Sequence, residues 1–169
     1  MLLSFREFIL WLHLLGVVVW VGGLVFQVLV VEGALKRASS VAWFRLSMSL
    51  EARFRSVLWP AVGLVLLTGL YNVMNLLYAT ALTGGSVPSR FVHLLSIKLL
   101  LVVLMIGMQA VQRFALYPRT VAILARLAPD ATADLSSEFL KLRHLSHLLS
   151  FLTVSLAVVV MLLGLLLRG

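Results

Sequence analysis

Cysteine is absent from the 169 residues, which excludes disulfides, iron–sulfur clusters and thiolate metal sites. Acidic residues are scarce, six against fourteen Lys and Arg, and they fall mostly in loops or at helix ends. No paired-carboxylate hydrolase, nucleophile triad or phosphate-binding glycine loop can be assembled from such a set. Proline occurs four times, so long stretches meet no helix breaker. No internal repeat or low-complexity tract stands out.

What fills the chain instead is apolar. Hydrophobic residues make up 62% of it and the mean hydropathy is +1.11, far from the ~45–50% apolar share of soluble domains. Phe8–Val31, Val57–Ala79, Phe91–Ala115 and Leu145–Leu167 each reach the roughly 20 apolar residues that a helix needs to cross a bilayer. The pattern predicts an all-α integral membrane protein. It predicts a four-transmembrane-helix bundle forming a single domain over 1–169, with helices at about 6–32, 57–80, 90–116 and 137–168. The first run exceeds the ~7–15-residue core of a signal peptide and reads as a retained helix. In the segment that follows it, Trp43, Leu46, Leu50 and Phe54 share one face while arginines take others. That spacing predicts a short interfacial helix in the first cytoplasmic loop.

The net charge of +8 is distributed by loop. Lys36, Arg37, Arg45, Arg53 and Arg55 belong to the first connection and Arg113, Arg119, Arg126, Lys141 and Arg143 to the third. Only Arg6, Arg90, Lys98 and Arg168 are left for the other side. This bias predicts a multi-pass protein of a bacterial-type inner (cytoplasmic) membrane with both termini outside. The basicity then serves topology and contact with anionic lipid, and no nucleic-acid partner is expected.

Polar residues inside the apolar runs carry the functional signal. In the first run His13, Gly16, Trp20, Gly23 and Gln27 step by three and four along one face, the signature of a helix pressed against partner helices. Lys98 is costly at membrane depth, by about 2.5–3.5 kcal/mol at the centre. It reads either as a snorkelling side chain or as the counter-charge of an anionic ligand such as a haem propionate. His13 is either a packing histidine or an axial ligand to haem iron. His93 is a candidate second ligand or a plain interfacial histidine. Asn72, with Asn75, needs a partner in hydrocarbon. Met74 together with His13 and His93 would make a soft N/S set suited to copper. His144 and His147, three residues apart near the other face, are second-site candidates or a solvated helix end.

These stretches resemble a known pattern. WLHLLGVVVWVGGL, RFRSVLWPAVGLVLLTGLYN and HLLSIKLLLVVLMIGMQAVQRF together are similar to the copper-resistance D (CopD-like) membrane domain and to the HemJ-type four-helix protoporphyrinogen oxidases. The resemblance covers most of Leu12–Phe114. It implies copper uptake across the inner membrane on the first likeness. On the second it implies haem b ligated through His13, with Lys98 as the tetrapyrrole or propionate partner.

The leading expectation is a b-type haem redox protein, a haem-dependent membrane oxidoreductase with His13, His93 and Lys98 around one haem, bordered by Gly16, Trp20 and Asn72. It would pass electrons between a lipid-soluble donor, a quinol or porphyrinogen, and a partner, with a protein redox partner or a homo-oligomer as the expected association. The alternatives are a copper-handling protein using His13, Met74 and His93, and a cofactor-free assembly subunit.

Overall fold

The computed structural model describes residues 4–31, 33, 41–126 and 137–167. Helix α1, Phe5–Phe26, runs on through a π-helical turn at Gln27–Val31. Helix α2 spans Val41–Leu82. Helix α3, Ser89–Val111, passes through a second π-helical turn, Gln112–Leu116, into α4, Tyr117–Ala125. Helix α5 covers Ser137–Leu166. No strand occurs among the described residues, and four helical spans are long and apolar enough to cross a membrane. The protein is an all-α, four-span membrane bundle.

Local chemistry sets the helix ends. Ser4 and Glu7 form a reciprocal capping box at the start of α1, satisfying donors that a helix N-terminus otherwise leaves open. At the end of α2, Gly84 takes φ +64 while Gly85 N–H donates to Thr80 O and Gly84 N–H to Ala81 O. This is a Schellman stop, which requires the left-handed conformation that glycine adopts without penalty.

Two boundaries depart from the sequence reading. The expected interfacial helix is not a separate element, because Val41–Ser56 continue directly into the second span. Nothing between Val41 and Trp59 is glycine or proline, so the hydrogen-bond ladder has no reason to break. Pro60 sits inside the helix rather than in its first turn. The 42 residues of α2 extend about 63 Å at ~1.5 Å each, so its first turns stand clear of a ~30 Å hydrocarbon core. Its packed face there is Phe44 and Ser47, both buried, while Leu46 and Leu50 are exposed. The side chain of Trp43 lies outside the described residues. The third span likewise continues past Leu116, through Pro118 in the first turn of α4. The π turn, closed by Tyr117 N–H donating to Gln112 O, shifts the ladder just ahead of the residue that cannot donate.

The helices pack as two antiparallel pairs, α1 with α2 and α3 with α5, joined through α1–α5 and α2–α4 contacts. Gly16, Trp20, Gly23 and Leu24 of α1, with Gln27 of the π turn, are buried. A Cβ at Gly16 would lie 2.8 Å from Val65 Cγ2, and one at Gly23 would overlap the Leu58 side chain. The small residues therefore let α1 and α2 close on each other. The core is a single apolar layer of Trp20, Leu24, Leu58, Ala61, Val62, Val65, Val102, Met105 and Ala157. Around it a belt including Leu29, Leu67, Leu100, Phe114 and Leu165 is exposed, as a lipid bilayer requires. One end of the bundle, here the terminal end, holds the start of α1, the α2–α3 turn and the end of α5. The opposite, basic end holds the start of α2, α4 and the start of α5.

Candidate functional site

Near the terminal end, His13 is half-buried and pinned against α2. Its Nδ1 lies 2.9 Å from Thr68 Oγ1. The Thr68 hydroxyl gives its one hydrogen to Leu64 O, so it accepts from His13, and the proton sits on Nδ1. The imidazole lone pair is thereby placed on Nε2. Beneath the ring is Gly69, where a Cβ would come within 3.2 Å of His13 Cε1. Thr68 and Gly69 are the first two residues of the TGLYN stretch, so that stretch includes the seat of the histidine.

The other residues expected around one guest have the following surroundings. Lys98 points into the second helix pair, its Nζ 3.2 Å from the position a Cβ would take at Gly164 on α5. His93 is exposed, and Met74 is 61% exposed. Asn72 is half-buried, one turn beyond Thr68 on α2. The room left by Gly16 is taken by Val65. Trp20 is buried in the core with its Nε1 lacking a hydrogen-bond partner. Among the described residues no three His, Cys, Asp or Glu side chains converge as a metal site.

A cavity lies elsewhere, at the basic end. It has a volume of about 90 Å³, and its polar wall includes Gln27, Glu51, Gln112, Arg143 and His147, with the thioether of Met48 among its apolar lining. Gln27 Nε2 donates to Glu51 Oε1 at 3.1 Å, fixing α1 to α2. Gln112 Nε2 donates to Ser146 O at 3.3 Å and to Ser150 Oγ at 3.2 Å, fixing α3 to α5. Arg143 stacks its guanidinium 5.0 Å over the Phe44 ring, which in turn meets Phe139 edge-on at 5.4 Å. The rim is tied by Arg45 Nη2 donating to Leu124 O at 2.9 Å, a cation on the C-terminal carbonyls of α4. Of the two second-site histidines, His147 lines this cavity and His144 is exposed.

Met48 and Glu51 were not legible as site residues, because they lie in the segment read as an interfacial helix. The available signal was their i, i+3 spacing on the face of Ser47, not that of Leu46 and Leu50. A family model described as CopD, copper resistance protein D, matches residues 48–166. The chain belongs to the CopD family. The match runs through α5, well past the Phe114 limit of the motif resemblance, and it begins after His13. Met48, Glu51 and His147 all fall inside the CopD-matched stretch. Comparison with curated proteins and with solved structures found no match.

Proposed function

We propose that this CopD-family protein handles copper ions as cargo in the membrane, and that the basic-end cavity is where the ion is taken up or released. The observation that carries the reading is the shared wall of Met48, Glu51 and His147. It offers a thioether, a carboxylate and an imidazole, and sulfur with imidazole is a donor set that copper favours. Gln27 orients the Glu51 carboxylate. Arg143 on the same wall opposes a cation, so the site holds copper weakly enough to let it pass. His13, with Nδ1 given to Thr68, is a second station nearer the terminal end, ligating through Nε2. The excess of basic residues at that end supports a cytoplasmic position for the cavity.

Purified full-length protein in nanodiscs, titrated with Cu(I) against a chromophoric chelator, tests this. His147→Ala and Met48→Ala should each weaken binding about tenfold, or ~1.4 kcal/mol. Met74→Ala, at an exposed position, should leave it unchanged. Wild-type affinity in both cavity variants would overturn the reading.

A b-type haem protein oxidising quinol or porphyrinogen is a second reading, in line with the HemJ-type likeness. It is favoured by one observation, the oriented imidazole of His13, since axial histidines are ordinarily pinned through their other nitrogen. His93 is exposed, and Lys98 Nζ lies beside Gly164 of α5. A Soret band that disappears in His13→Ala would favour this reading over the copper one.

A further inference from the structure

We propose that the basic-end cavity continues into the bundle as a one-water step held by Gln27, Gln109 and Gln112. A smaller cavity of about 10 Å³ is lined by these three glutamines with Leu24, Leu58 and Trp59. That is about the space that holds a single water. Gln27 and Gln112 line both cavities and so form the partition between them. Gln109 lies one turn deeper along α3.

The hydrogen-bond inventory identifies the guest. Gln27 commits its Nε2 to the Glu51 carboxylate, and Gln112 commits its Nε2 to the Ser146 carbonyl and the Ser150 hydroxyl. A carboxylate and a carbonyl only accept, so these partners settle which way both amides face, with Oε1 turned away from them. Gln109 is 9% exposed, and its Nε2 has no hydrogen-bond partner. A buried donor left so is destabilising unless something accepts from it, and the fit of the surrounding groups selects the guest. Water accepts from Gln109 Nε2–H and donates its two hydrogens to the oxygens of Gln27 and Gln112. A bare cation would meet the positive end of the Gln109 amide, and an anion would meet two amide oxygens. Water suits all three groups.

The polar path therefore reaches from the basic end to the level of Gln109 and stops under the dry layer of Trp20, Val62, Val102, Met105 and Ala157. This holds whether or not the cargo is copper.

The test uses the full chain in bilayers with ¹⁵N-labelled glutamine. Magnetisation transfer from water should reach the Gln109 side-chain NH₂, and its absence would overturn the proposal. A Gln109 signal that changes when Na⁺ is exchanged for K⁺, or chloride for gluconate, would make the guest an ion and would also overturn it. In X-ray hydroxyl-radical footprinting, Leu24 and Leu58 should be modified well above the dry-layer residue Val62. Gln109→Leu should abolish that excess, and modification unchanged by the substitution would sink the one-water step.

Discussion

At the scale of single residues, the contact between His13 and Thr68 decides how the intramembrane histidine can act. Interhelical hydrogen bonds of this kind contribute only about 0.6 kcal/mol on average in membranes. The bond therefore does more to choose a tautomer than to hold the fold. Thr68→Val should cost no more than about that 0.6 kcal/mol and release the Nδ1–H preference, read as a changed imidazole ¹⁵N spectrum. Thr68→Ser should retain the native spectrum. Gly69→Ala would place a methyl 3.2 Å from His13 Cε1, tighter than ordinary contact, so the ring should shift and the same spectrum should move. That His13 faces a partner helix was legible from the three-four stripe it begins. That its partner is the threonine of TGLYN was not, because the pairing of positions 13 and 68 depends on the register of two antiparallel helices.

At the scale of elements, glycine position matters more than glycine count. Gly16 and Gly23 sit where α2 presses on α1, whereas Gly22, Gly63 and Gly107 have nothing within reach of an added Cβ. Gly16→Leu and Gly23→Val should each destabilise the bundle by about 1–3 kcal/mol through overpacking. Gly63→Ala should stabilise it by up to ~1 kcal/mol, because helix propensity is then the only term that changes. Unfolding in mixed micelles measures both, and the two classes should differ in sign. The same dependence on neighbours explains the misread start of α2. Amphipathic periodicity with arginines indicated a helix around Trp43, Leu46, Leu50 and Phe54, and a helix is there. Its separation from the span was inferred from the change in polarity, yet polarity does not interrupt a backbone ladder that lacks glycine or proline.

For the whole molecule, four spans put both ends of the chain on one side, and ten of fourteen basic residues lie in or beside the first and third connections. A reporter fused after Gly169 should be active if it is alkaline phosphatase and dark if it is green fluorescent protein, as the positive-inside bias requires. The opposite result would invert the bundle and move the cavity of Met48, Glu51 and His147 to the outer face. Composition and periodicity by themselves determined that this chain is a helical membrane bundle of four spans, and which face of the first one is packed. Those properties follow from transfer free energies and helical geometry, which act on each segment locally. Only the tertiary structure decided which polar side chains share a space. His13 lies against Thr68 and Gly69 of α2, and Lys98 Nζ lies against Gly164 of α5. Met48, Glu51 and His147, distant in sequence, line one cavity because α2 and α5 meet at the basic end. Helix rotation and register set such meetings, and these are settled by the packing of all four spans together rather than by any one of them.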